Sequence, residues 1–319
     1  MRAVRSVDGQ VRVVQLDGPV DPGLIDPVLV KIRSCGICGS DLHLLPYNLP
    51  CTMGHEFAGV LEDGTAVAVQ PFKPCGTCDR CVAKAFQQCR TGVNRLHGVS
   101  YDGGLADEVI VERACLVPMP AGVPVEQGAL LEPLAVSVRS LIQAGCSPKN
   151  SAEIGPLLVI GGGPIGLTVV AVARHWGFEI DLIARHPHQR EAGERLGANL
   201  SLRNEYAVTV EAAGTQSSLD EAVARARPGG TVAVPGTYWS PIRLSNNFQV
   251  RHVSLVPSMV YGSYEGVRDF DLAAQVLAAT PNLADALISH AFGLDDAPEA
   301  FRVAADRAAG ALKVQILVN

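Results

Sequence analysis

The 319-residue chain has no run of basic residues and no apolar stretch of the roughly 18 residues that a membrane span requires. Its opening, "MRAVRSVDGQVRVVQLDG", lacks the apolar core of a secretory signal. Each absence removes a class of partner or place. Nucleic acids and anionic membranes are held mainly by clustered Lys and Arg, and a formal charge of −6 without a basic run offers them no surface. The expectation is a cytoplasmic protein whose partner is a small molecule, with no nucleic acid and no membrane. At 48% hydrophobic and 18% charged, the chain is long enough for two cores of ordinary size and too long for most single ones.

What the chain does have is cysteine, nine in all. In a reducing compartment an odd, clustered set of thiols points to metal ligation rather than to disulfides. Four of them, Cys75, Cys78, Cys81 and Cys89, form C-x2-C-x2-C-x7-C in "CGTCDRCVAKAFQQC". Short loops at this spacing can fold four thiolates around one ion, leaving no exchangeable position, which is the pattern of a structural zinc site. An iron-sulfur cluster is the competing reading, since C-x2-C-x2-C also opens ferredoxin motifs, but the last gap differs and no Pro follows Cys89. A set of merely buried thiols fits poorly in a loop rich in Gly, Pro, Lys and Asp.

A second cluster has mixed chemistry. "CGICGSDLHLLPYNLPCTMGHEFAG" carries Cys35, Cys38, His43 and His55 beside Ser40, Asp41 and Glu56. A catalytic zinc takes three protein ligands, often including Cys and His, and keeps one position open. Asp41 is a candidate acceptor behind a ligand His, and Ser40 with His43 could pass a proton to solvent. Taken singly, His43 reads equally well as a loop histidine, and Cys35 and Cys51 as packed thiols. The weight lies in the combination.

Further along, "LLVIGGGPIGLTVVAVARHWG" reads as a short apolar strand, then Gly161, Gly163 and Gly166 in G-x-G-x-x-G spacing, then a helix from about Leu167 to Trp176. That context makes it a dinucleotide fingerprint: small residues allow a tight turn and close pyrophosphate approach, and the helix N-terminus faces the negative charge. Strand-like "EIDLIA", "VTVEAAG" and "TVAVPG" alternate with helix-like "QREAGERLGA" and "SSLDEAVARARPGG", which implies a parallel, doubly wound sheet. In the first half, "VRVVQLDG", "PVLVKIRSCG", "AVAVQPF" and "LADEVIVE" are short strands between Gly and Pro turns, so an all-β domain carries the metal candidates.

The ordered set "GICGSDLH", "GHEFAGVL", the four-Cys loop, "GALLEPLAV", "GGGPIG" and "ISHAFGLDDAPEAFRVAADRAAGALKVQIL" resembles the zinc-dependent alcohol dehydrogenases of the medium-chain dehydrogenase/reductase superfamily over nearly the whole chain. The wording "CGICGSD" and "LEPLAV" looks closest to its sorbitol, threonine, butanediol and glucose dehydrogenase branches. The resemblance implies an α/β fold: a GroES-like all-β catalytic domain over residues 1–136, a Rossmann domain over 137–262, and a segment, 263–319, that returns to the catalytic domain, with the active site in the cleft between. Carried over by position, it implies one structural zinc at Cys75, Cys78, Cys81 and Cys89. It also implies one catalytic zinc at Cys38 and His55, with Glu56 or Glu132 as the further ligand. Ser40 and His43 match its proton relay, Asp41 the acid that orients the ligand His, and Cys35 matches no ligand. The cofactor would lie on Gly161, Gly163, Pro164, Ile165 and Gly166. Homo-dimers and homo-tetramers are both family habits.

Two departures qualify the resemblance. Only "LLPYNLPCTM" separates "DLH" from "GHE", shorter than those branches have where a substrate pocket is walled. After the fingerprint strand, NAD-using members place an acid on the ribose, whereas this chain has "IARHPHQR". Arg185, with His186 and Arg190 behind it, suits a 2'-phosphate, so NADP(H) is favoured over NAD(H). A plain solvated basic loop is the alternative. The implied reaction is hydride transfer between the nicotinamide and an alcohol or polyol, or the matching carbonyl. Reduction of an activated C=C bond is the runner-up, and a zinc-scaffold binding protein without turnover or a zinc hydrolase explains fewer of the motifs.

Overall fold

The computed structural model describes residues 1–306, 308 and 310–319. The chain divides into two units, one made of Met1–Glu132 with Ile288–Asn319, the other of Pro133–Leu287. The sequence set these divisions at 136 and 262. The second unit runs on to Leu287 because helices Asp269–Ala279 and Leu283–Leu287 pack on its own helices, and Asp269 forms a buried pair with Arg139 at 2.7 Å. Charges removed from water must be paired, so this contact ties residue 269 to the second unit.

In the first unit the long strand Pro27–Ile37 is the hub. It pairs antiparallel with Glu56–Val60, with Glu108–Glu112 and, at its other end, with Lys313–Leu317 from the end of the chain. Alternating Val30 and Ile32, with Phe57, Val109, Val111, Val314 and Ile316, form the core beneath helix Ala297–Ala305. Period-two patterning places these residues on one face, as a half-buried sheet requires.

The second unit holds five parallel strands in the spatial order Ser254–Pro257, Ala226–Val234, Tyr206–Glu211, Leu157–Ile160, Ile180–Ile183. Leu157–Ile160 comes first in the chain and lies inside the sheet, so the winding reverses beside it. In such sheets ligands bind outside the strand ends at that reversal. Helix Pro164–His175 begins one turn earlier than the sequence suggested, with Pro164 in the first turn, where its missing N–H is no loss. Helix Gln216–Arg225, capped by Thr215 accepting the Ser218 N–H, stops short of the run read as helical to Gly230. Pro228 cannot continue a helix, and Ala226–Val234 is strand instead.

Among the described residues no helix is long and apolar enough to cross a membrane.

Candidate metal centres and dinucleotide site

The pairing of Pro27–Ile37 with Glu56–Val60 builds the mixed site. Gly36 stands opposite Glu56, so Cys38, just past one strand end, meets His55, just before the other. Ligand atoms of Cys38, His55 and Glu56 all lie within 4.8 Å of one another. Asp41, buried in the one-turn helix Gly39–Leu44, holds both sides: its Oδ2 accepts the Cys38 N–H at 2.9 Å and its Oδ1 lies 3.2 Å from His55 Nδ1. With Nδ1 facing this carboxylate oxygen at ion-pair distance, the other ring nitrogen is the one left for a metal. Burial works against charge on His55, but Asp41 and the Cys38 sulfur outweigh it and raise the imidazole well above its ordinary value. Glu132, in the first turn of helix Leu131–Gln143, is buried nearby, and burial lifts its carboxyl to about 7. Three buried carboxyls, Asp41, Glu56 and Glu132, and the Cys38 thiol lie close to His55 and Lys313, a donor set whose chemistry suits a cation.

The remaining residues of this stretch fall as follows. Ser40 and His43 are three apart on the Gly39–Leu44 helix, hence on one face, with Ser40 partly buried and His43 exposed. Cys35 is fully buried, its thiol pushed up by burial and then by Asp41 and Glu56, and its Sγ lies against Gly54. The short "LLPYNLPCTM" segment makes a single 3-10 turn, Leu45–Tyr47, tied to the first hairpin where Ser6 donates to the Leu45 carbonyl and the Gly9 N–H to Asn48 Oδ1.

Cys75, Cys78, Cys81 and Cys89 converge around the turn Asp79–Val82, their sulfurs also within 4.8 Å of one another. Backbone N–H groups of Cys78 and Thr77 pull the Cys75 thiol down to about 5, whereas burial and its three thiol neighbours push Cys81 up to about 12. Four sulfurs that cannot all ionise against each other fit a centre in which a divalent ion supplies the missing charge.

At the reversal of the parallel sheet each fingerprint glycine has a separate reason. Gly161 has φ of 113° and donates to the Ile183 carbonyl, and a Cβ there would stand 2.9 Å from the Ala213 nitrogen. Around Gly163, which precedes the helix, nothing lies within 4 Å of a Cβ position, so the backbone is open to a ligand. A Cβ at Gly166 would fall 1.8 Å from the Gly161 carbonyl oxygen, so helix and turn pack backbone to backbone. Pro164 and Ile165 lie between them in the first turn.

At the end of strand Ile180–Ile183, Arg185 is exposed, while Arg190 turns back to donate to the Ala184 and Arg185 carbonyls at 3.4 Å. His186 caps helix Pro187–Arg195 and stacks on His188 with centroids 5.4 Å apart. The nearby acids are taken: Asp181 is buried inside the strand, bonded by Arg203 and Tyr206 at 2.7 Å each, and Glu179 pairs with the same arginine.

Residues 25–121 match the alcohol dehydrogenase GroES-like domain. Galactitol 1-phosphate 5-dehydrogenase of Escherichia coli K12 is 28% identical, over 94% of this chain and 94% of that one. A crystal structure of galactitol-1-phosphate dehydrogenase from Escherichia coli superposes with a TM-score of 0.85 at 27% identity, covering 99% of this chain and 100% of that one. D-xylulose reductase A of Aspergillus niger is 28% identical over 92% of this chain and 91% of its own. A putative zinc-binding dehydrogenase from Sinorhizobium meliloti 1021, solved bound to NADP, has a TM-score of 0.84 at 28% identity, covering 99% and 98%. The chain is thus similar over nearly its whole length to zinc-binding and polyol dehydrogenases, and its residues 25–121 match their GroES-like domain. The GroES-like and Rossmann-type architecture is the one that its sequence motifs implied.

Sequence reasoning missed Lys313. Its ammonium, buried to 3% exposure, donates to Glu56 Oε1 and Oε2 at 2.7 and 2.6 Å and to the Ile37 carbonyl at 3.2 Å. The available signal was a charged residue opening the otherwise interior run "KVQIL", since a lysine buried in a strand needs a partner.

Proposed function

We propose that this chain is a zinc-dependent oxidoreductase that transfers hydride between a nicotinamide cofactor, with NADP(H) favoured, and an alcohol or polyol or the corresponding carbonyl. The observation that carries it is the coexistence in one chain of an Asp41-backed Cys38, His55 and Glu56 cluster and a glycine turn open at Gly163. The names of the relatives, a polyol-phosphate dehydrogenase and a xylulose reductase, point the substrate class toward polyols and their phosphates.

When bound, zinc would supply Lewis acidity that polarises the substrate oxygen, and the nicotinamide would supply the hydride acceptor or donor. Cys38 and His55 would hold the metal, with Glu56 or Glu132 beside them, and Asp41 keeps the His55 ring aimed. Ser40 and His43 would move the alcohol proton toward solvent. Gly161, Gly163, Pro164, Ile165 and Gly166 would seat the pyrophosphate, and Arg185, His186 and Arg190 the 2'-phosphate. Cys75, Cys78, Cys81 and Cys89 would carry a second, closed zinc with a structural role. A cytoplasmic homo-dimer or homo-tetramer completes the reading.

The test pairs metal analysis with an activity screen of polyols, polyol phosphates, secondary alcohols and aldehydes with both nicotinamides. About two zinc ions per chain are expected, the four-thiolate one being harder to strip. Cys38→Ser should remove the other zinc together with turnover. A single zinc that survives Cys38→Ser, with no turnover on any substrate, overturns the assignment.

A further inference from the structure

In the second unit, two turns leave the carboxyl ends of strands Tyr206–Glu211 and Ala226–Val234, and one buried side chain ties them together. Glu211, fully buried, closes the first strand. Its Oε1 accepts the N–H groups of Ala213 and Gly214 at 2.8 and 2.9 Å and the Ser218 hydroxyl at 2.6 Å, and its Oε2 accepts the Tyr238 hydroxyl at 2.7 Å. All four donors are neutral, so hydrogen bonds from both turns, rather than an opposite charge, hold the carboxylate. The backbones close the same gap. The Gly236 N–H donates to the Glu211 carbonyl at 3.1 Å, and a Cβ at residue 236 would stand 2.7 Å from Glu211 Oε2. At Gly214, whose φ is 68°, a Cβ would stand 2.5 Å from the Thr237 carbonyl oxygen. Tyr238 is partly buried against the core of this unit, and burial, then Glu211, pushes its phenol up, so it remains a donor at neutral pH.

The first of these turns also abuts the glycine turn: the Ala212 N–H donates to the Ile160 carbonyl at 2.8 Å, and the Ala213 nitrogen is the atom nearest a Cβ at Gly161. A dinucleotide bound at a sheet reversal lies across it, one nucleoside to each side. Arg185 follows strand Ile180–Ile183 on one side, so the exits of Tyr206–Glu211 and Ala226–Val234 form the other. We propose that Tyr238 is a positioning residue for the nicotinamide half of the cofactor: through Glu211 it locks both turns beforehand, so that this half meets backbone already in place. The inference rests on the reading that the chain binds a nicotinamide cofactor. Locking the turns in advance moves their ordering cost from binding into folding. The effect is confined to one half of the cofactor, which separates Tyr238 from Arg185.

Fluorescence titration of the full-length, zinc-loaded protein gives Kd for NADPH. Displacement gives Kd for adenosine 2',5'-bisphosphate, which carries the phosphorylated adenosine half and no nicotinamide, and NADH with ADP forms the matching pair. Tyr238→Phe removes one oxygen and leaves Glu211 Oε2 without this donor. It should weaken NADPH and NADH by about tenfold each, the size of one hydrogen bond to a charged group, while both adenosine probes stay within about twofold of wild type. Glu211→Gln keeps an acceptor for the two N–H groups and can donate to the phenol oxygen, so it should stay within about threefold of wild type for all four ligands. In cofactor-free wild type the Ala213 and Gly214 amides should already exchange slowly, and Tyr238→Phe should speed them. Equal weakening of dinucleotides and adenosine probes would make the pair merely structural, and unchanged NADPH and NADH binding in Tyr238→Phe would remove it from the site. Ala213 and Gly214 amides that become protected in wild type only when cofactor is added overturn the proposal, whether or not Tyr238→Phe folds. If wild type binds neither dinucleotide nor either adenosine probe, the cofactor reading itself fails, and this inference falls with it.

Discussion

Replacing Arg185 by Asp tests cofactor choice with few side effects, because the residue is exposed and Arg190 is folded back on the Ala184 and Arg185 carbonyls. The magnitude has two parts. A charge-assisted hydrogen bond from the guanidinium to a 2'-phosphate is worth about 1.5 kcal/mol, the low end of the range, since solvent and salt screen an exposed site. A carboxylate in its place, about 5 Å from roughly two phosphate charges in a watery dielectric, adds about 1.7 kcal/mol of repulsion. Together these move the ratio of kcat/KM for NADPH over NADH by on the order of 100-fold. Wild type should favour NADPH by about tenfold, and the variant should favour NADH by a similar factor, mainly through KM. Zinc content should not move, and raising the ionic strength should narrow the wild-type preference. Equal efficiency with both cofactors in wild type, or a ratio that Arg185→Asp leaves in place, would return "RHPHQR" to a solvated loop.

Two further perturbations address the metal site and the proton path. Burial holds the Glu132 carboxyl at about 7 instead of 4.5, so before zinc binds the folded chain keeps a proton that the unfolded chain has already released. The stability contributed by this group then falls as pH rises from about 4.5 to about 7 and is level above. Glu132→Gln should remove that slope and gain up to about 3 kcal/mol relative to wild type above neutral pH, read as a melting-temperature difference that opens between about pH 5 and 8 in chelator-treated protein; a difference that stays constant with pH would count against it. His43→Gln should lower turnover by about 10- to 100-fold at low and neutral pH, with partial rescue by added imidazole, and an unchanged pH profile would remove His43 from the relay.

Much of the architecture was visible in local pattern because its determinants are local. The period-two runs around Val30 and Val109 and the glycine turn at 161–166 each declare a conformation within a few residues. The end of the second unit did not, because nothing near residue 262 marks a boundary. What keeps residues 263–287 there is a buried ion pair between Asp269 and Arg139, 130 residues apart, and helix packing that no window of sequence displays. The helix read through to Gly230 failed for a different reason: helical periodicity in "SSLDEAVARARPGG" outweighed the Pro228 stop signal that was present in it.

The candidate donor atoms were easier to name from sequence than the partners that surround them. Cys38 and His55 are named by chemistry, since a thiol and an imidazole flanking a strand pair have few other uses, and Asp41 follows from its place three residues after Cys38. Glu56 is different. Its position after His55 makes it look like a ligand, yet its two oxygens are held by Lys313, 257 residues further along the chain. That contact exists only because the last strand adds beside Pro27–Ile37 in the one register that sets Val314 against Ile37, and because residue 36 has no side chain to fill the space. A shift of one residue would turn Lys313 to the other face of the sheet and leave the Glu56 carboxylate without its ammonium partner. Candidate donor types can therefore be read from the sequence of residues 35–56, while the partners each donor finds depend on the register of a strand from the far end of the chain.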